Sequence, residues 1–77
     1  MKSFGYQQRY AQFLAKLKQA RLDAGLTQAV VATRVGRPQS FISKIESGER
    51  RVDIVELSEL AQLYEKRLEF FTGESRR

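Results

Sequence analysis

Gln39, Ser40, Ser43 and Lys44 concentrate hydrogen-bonding chemistry in one short stretch of the chain. On a helix this spacing groups them along one side. An amide, two hydroxyls and an ammonium are side chains of the kind that read base edges in a DNA groove. Histidine and cysteine are absent. That removes the commonest catalytic base, any disulfide and any thiolate metal site, leaving only oxygen ligands for a metal. Binding rather than catalysis is the expectation: no enzyme, no metal, no cofactor and no evident small-molecule ligand.

The charge agrees with a polyanionic partner. The formal net charge is +5, and its distribution is uneven. Residues 1–45 carry eight Lys/Arg and one acid, Asp23, for a net of +7; residues 46–77 carry six and eight, for a net of −2. One electropositive face is expected, not a uniformly basic surface. Arg50 and Arg51, in a polar loop after the Gln39–Lys44 stretch, read as phosphate contacts that add affinity without sequence information. A merely solubilising loop is the alternative. Lys16 and Lys18 read as plain surface.

Seventy-seven residues suit one small domain, 1–77, with an ordered core of about 6–72 and frayed ends at 1–5 and 74–77. No apolar run approaches the roughly 20 residues that span a bilayer, and the N-terminus shows no continuous apolar signal core. A cytoplasmic, nucleoid-associated protein is expected. A membrane-surface role for the basic first helix is disfavoured, because its apolar face is claimed by the core.

Five helices must position these residues. Tyr10, Phe13, Leu14, Leu17, Ala20 and Ala24 recur at helical steps and predict a helix from about Tyr6 to Ala24, closed by Gly25. Thr27 reads as the N-cap of a second helix ending near Val35 at Gly36. Arg37-Pro38 opens a third, about 38–46, which Ser47-Gly48 stops. Asp53 with Glu56 three residues on reads as a capping box for a fourth. A fifth runs from about Arg67 to Phe71. Strand signals are absent, so the fold class is an all-α, five-helix bundle.

Within it, residues 28–47 carry the spacing of a helix-turn-helix. Val31 and Val35 share one face of the second helix. Ala32 sits at the crossing, where only a small side chain lets backbones approach. Gly36 can take the positive φ of the sharp turn. Ile42 and Ile45 anchor the inner face of the third helix, and Gln39, Ser40, Ser43 and Lys44 are left on its outer face.

From Leu14 to Gly48 the chain resembles the Cro/CI-type (XRE-like) helix-turn-helix family of phage and bacterial repressors. The resemblance rests on Gly25-Leu26-Thr27-Gln28, Val35-Gly36 and Ile45-Glu46-Ser47-Gly48. Val52 to Leu57 and Leu68 to Phe71 fit the fourth and fifth helices. It implies a lambda repressor-like DNA-binding domain that acts as a transcription regulator, as a repressor on the family's pattern. Thr27 and Gln28 would then meet a backbone phosphate. Gln39, Ser40, Ser43 and Lys44 would make base contacts in the major groove. Arg21 and Glu46 would form a partly buried ion pair. The partner implied is double-stranded DNA with a pseudo-palindromic site, bound by a homodimer.

Three positions depart from the family pattern. Arg37 replaces a residue that is often apolar and reads as a phosphate clamp. Glu65 stands where a left-handed glycine is frequent, so the fourth and fifth helices are expected to merge or meet less sharply. Val30 stands where an acid is common. For the dimer interface, Tyr64, Phe70 and Phe71 are the candidates: adjacent helical residues point about 100° apart, so Phe70 and Phe71 do not both suit one core. The rival is an antitoxin-like or accessory protein-interaction module using Val30 and these aromatics.

Overall fold

Local capping chemistry divides the chain. The computed structural model describes residues 3–73 as α1 (Ser3–Asp23), α2 (Gln28–Val35), α3 (Gln39–Ser47), α4 (Ile54–Tyr64) and α5 (Leu68–Thr72). No strand occurs among the described residues, and the fold is all-α. The expectation of frayed ends at 1–2 and 74–77 lies outside the described residues. α1 begins at Ser3, a few residues before the expected start near Tyr6; extending a nucleated helix gains one bond per residue.

Each break has a local cause. Thr27 Oγ1 accepts the Val30 N–H at 3.1 Å and starts α2. Gly36, at φ 71°, ends it, and the Arg37 N–H returns to the Ala32 carbonyl at 2.9 Å. Pro38 is the N-cap of α3 and not its first helical residue. At α4, Asp53 accepts the Glu56 N–H at 2.8 Å while Glu56 Oε1 accepts the Asp53 N–H at 3.1 Å.

All five helices contribute to one core. Leu17 and Ala20 of α1 meet Val31 and Ala32 of α2, Ile42 and Ile45 of α3, and Leu57, Leu60, Ala61 and Tyr64 of α4, with Phe71 of α5. Ile42 and Ile45 lie three apart, so they plant one side of α3 in this core and turn the opposite side outward.

Two of the three residues proposed for a dimer interface are inside this core. Tyr64 and Phe71 are buried within the protomer and cannot present a surface to a partner. The cause is the α4–α5 turn, which aims Phe71 edge-on at Phe13 of α1, ring centroids 6.4 Å apart. Phe70 is half-buried and packs against the edge of the core, its ring centroid 5.2 Å from that of Phe71 and 4.6 Å from Lys66 Nζ.

That turn also corrects the expectation for Glu65. The two helices do not merge, because Glu65 itself adopts the left-handed conformation at φ 59°, ψ 45°. The Lys66 N–H then closes α4 onto the Ala61 carbonyl at 2.9 Å. A Cβ in this region costs roughly 1–2 kcal/mol. Glu65→Gly removes that cost and loses part of the gain to unfolded-chain entropy. The variant is expected to be more stable by about 0.5–1 kcal/mol in urea unfolding, with unchanged helix content.

Burial leaves a mark on Tyr64 that pH can read. Removal from water, with the Glu46 carboxylate nearby, pushes its phenol up to about 12. A raised folded-state pKa means full stability below the unfolded value near 10 and a loss as pH rises through the folded one. Between pH 10 and about 12 the wild-type chain is therefore expected to lose stability on the order of 2 kcal/mol more than Tyr64→Phe does. Parallel urea titrations of both chains across that range check it.

Candidate nucleic-acid interface

The outward side of α3 is polar along its length. Gln39, Ser40, Lys44 and Ser47 are exposed and Ser43 is half-buried. The Ser43 hydroxyl donates to the Ser40 carbonyl at 3.3 Å, and that of Ser47 to the Lys44 carbonyl at 3.2 Å. Both hydroxyl oxygens keep acceptor capacity for a ligand. Ser47 follows Ser40 by seven residues, two helical turns, and so shares its stripe. Reading it only as a helix stop missed this, although the spacing was the available signal.

A buried polar cluster fixes the angle of α3. Arg21 Nε donates to Glu46 Oε2 at 2.7 Å and Nη2 to Oε1 at 3.0 Å, a bidentate pair with side chains only 9% and 6% exposed. Arg21 Nη1 also donates to the Leu26 carbonyl at 3.0 Å. Gln28 Nε2 donates to Glu46 Oε1 at 3.0 Å. One carboxylate at the end of α3 thus ties down the end of α1 and the start of α2. The Arg21 guanidinium is held above its ordinary pKa, chiefly by the hydrogen bond to Glu46. For Gln28, assigned by sequence to a phosphate, the amide nitrogen is turned inward to Glu46. The Thr27 hydroxyl hydrogen and the first-turn N–H groups of α2 are what that end offers an anion.

A second cluster lies beside the other flank of α3. The guanidinium carbons of Arg37 and Arg50 stand 4.4 and 4.6 Å from the Phe41 ring centroid. Arg50 Nη1 and Nη2 donate to Glu56 Oε1 and Oε2 at 2.9 and 3.1 Å, and Arg37 Nη1 approaches Oε2 at 3.8 Å. Glu56 is held below the usual carboxylate range, first by the Arg50 hydrogen bond. Such a group contributes stability above its unfolded pKa that is lost as pH falls through the folded one.

Arg51 goes elsewhere. Its guanidinium carbon lies 4.3 Å from the Tyr10 ring centroid, and Nη1 donates to the Tyr6 hydroxyl at 3.0 Å. Two adjacent arginines expected to share a role therefore serve different helices.

The polar side of α3, its bracing by α2 and the sharp Gly36 turn make one recurring arrangement. A sequence model of the helix-turn-helix domain matches residues 12–65. The chain belongs to the helix-turn-helix domain family. No curated protein matches it. The matched span covers most of α1 and all of α2, α3 and α4, and so includes both polar clusters around α3.

Membership in the helix-turn-helix family implies DNA binding, in a family that is typically non-enzymatic. In this helix-turn-helix domain α2 and α3 are the two helices joined by the Gly36 turn. No cluster of three or more metal-ligating side chains occurs among the described residues. None of the described helices is long and apolar enough to cross a membrane.

Proposed function

We propose that this helix-turn-helix domain is a sequence-specific, double-stranded-DNA-binding transcription regulator of the Cro/CI (XRE-like) type, acting as a repressor. The observation that carries this reading is the distribution of groups around α3. Its outward stripe of Gln39, Ser40, Ser43, Lys44 and Ser47 holds no apolar residue. The start of α2 flanks it on the Glu46 side, and Arg37 and Arg50 flank it on the Phe41 side. A helix in a major groove lies between two phosphate backbones, so base-reading groups in the middle with anion-binding groups on both flanks fit that ligand. A cytoplasmic, nucleoid-associated location belongs to the same proposal.

Two copies on a pseudo-palindromic site complete the reading, with recognition helices about 34 Å apart, one DNA turn. With Tyr64 and Phe71 buried, the exposed apolar side chains available for pairing include Tyr6, Ile54, Val55 and Leu68, which are 55%, 65%, 65% and 38% exposed. Tyr6 and Ile54 rim a groove of about 710 Å³ between α1 and the start of α4.

Selection of bound duplexes from a random pool, followed by anisotropy titration at physiological salt, tests the reading. The expected result is a selected site bound at least roughly a thousandfold more tightly than random DNA, with two-fold symmetry in its sequence. Absence of any preference defeats the specific-regulator reading. The rival, a protein-interaction module, draws on the same exposed apolar residues and on Val30, which is 40% exposed. Replacing Gln39 and Lys44 together by alanine separates the two, since it leaves those residues untouched.

A further inference from the structure

The cluster around Glu56 poses a question of sign. Glu56 and Asp53 together cancel the formal charges of Arg37 and Arg50, so charge counting gives this corner no attraction for DNA. The geometry differs from the count. Arg50 is largely committed: two of its nitrogens donate to Glu56, and Nη1 also donates to the Arg51 carbonyl at 2.9 Å, which leaves two of its five N–H groups open. Arg37 is held without being spent. It is packed over the Phe41 ring and stands 3.8 Å from Glu56 Oε2, yet donates no hydrogen bond among the described residues. Its side chain is 42% exposed. A planar five-donor fork that is fixed in place with its donors open is suited to a bidentate phosphate oxygen pair.

We propose that Glu56 is a positioning residue, which through Arg50 and Phe41 presets Arg37 to grip one phosphodiester group of the DNA backbone beside α3. The proposal rests on the DNA-binding reading above. Arg50 aligns the Glu56 carboxylate by a two-point contact. Glu56 and Phe41 then hold the Arg37 guanidinium from its edge and its face. Ordering a long side chain before binding removes a cost otherwise met on association. Glu56 thereby favours an anionic ligand although it is itself an anion.

Glu56→Gln decides between position and charge. Glutamine at this helix position still accepts the Asp53 N–H, so the capping box survives. Charge alone makes the variant bind DNA more tightly, because one negative group near the backbone is gone. Positioning makes it bind about tenfold more weakly, with the slope of log K against log salt shallower by about one. The measurement uses the full chain with its selected duplex and a random 20-base-pair duplex at four salt concentrations. An equal loss on both duplexes is expected, since phosphate contacts carry no sequence information. Arg37→Ala should cost the same tenfold in the wild-type chain and almost nothing further in Glu56→Gln.

Tighter or unchanged binding by Glu56→Gln overturns the proposal while leaving the DNA-binding reading intact. So does an Arg37→Ala loss that is equal in both backgrounds. If the wild-type chain binds neither duplex, the DNA-binding reading fails and takes this proposal with it. Should Glu56→Gln fail to fold, Phe41→Leu keeps apolar packing but removes the ring face. It is expected to weaken binding about fivefold with a shallower salt slope, and unchanged affinity would again overturn the proposal.

Discussion

Glu46→Ala is expected to destabilise this helix-turn-helix domain by about 3–5 kcal/mol, the largest effect of any polar substitution in it. The carboxylate accepts three hydrogen bonds, from Arg21 Nε, Arg21 Nη2 and Gln28 Nε2, all at 3.0 Å or less. Removing it strands a guanidinium that cannot lose its proton and is 7% exposed, with only the Leu26 carbonyl as partner. The penalty comes from that uncompensated charge and does not measure what the pair is worth. Replacing both partners by apolar residues, Arg21→Met with Glu46→Leu, should therefore recover most of the loss. In a domain of this size the single change lowers Tm on the order of 20 °C. Arg21→Ala should also lower Tm well beyond Lys18→Ala, since Lys18 is exposed. Thermal and urea unfolding of the four variants provide the check, and equal effects of Arg21→Ala and Lys18→Ala would remove the pair from the account of stability.

Ser40→Glu is expected to lower affinity for the selected duplex by two to three orders of magnitude, while stability is unchanged or slightly raised. Ser40 is exposed in the first turn of α3. A carboxylate there favours the helix, because it faces the positive end of the helix dipole, an effect of roughly 0.3–1 kcal/mol. The same carboxylate would stand in the middle of the outward stripe, between two rows of phosphates. Like-charge juxtaposition at an interface costs several kcal/mol, and the lost hydroxyl contact adds to it. Comparing anisotropy titrations with melting curves separates the two effects. Full affinity in a folded Ser40→Glu would take the outer face of α3 out of the DNA interface. Unlike Glu56→Gln, which should weaken all duplexes alike, this variant should narrow the gap between selected and random DNA.

The legible parts of the chain are those whose cause lies within a few residues. Thr27, Gly36 and the Asp53–Glu56 box set helix ends through bonds spanning three to five positions, and each stands where its residue type indicates. The one-residue shift of the α3 start, from Pro38 as first helical residue to Pro38 as cap, shows how little a proline says about which side of the boundary it takes. Glu65 was less legible because its left-handed conformation runs against its own preference. The Lys66 bond to Ala61 and the docking of Phe71 on Phe13 hold it there.

The helical period by itself determined an all-α chain, the two-helix unit at 28–47, and which side of α3 faces out, because Ile42 and Ile45 leave only one side for the core. Tertiary structure decided where the long side chains end. Arg50 and Arg51 are neighbours in sequence, but one reaches Glu56 and the other Tyr6, 45 residues away. Tyr64 and Phe71 went to the core, and Gln28 turned inward to Glu46. The physical reason is one of range. Caps and periodicity act along a single helix, whereas an arginine fork or an aromatic ring takes whichever partner the packing of other helices brings within a few ångströms.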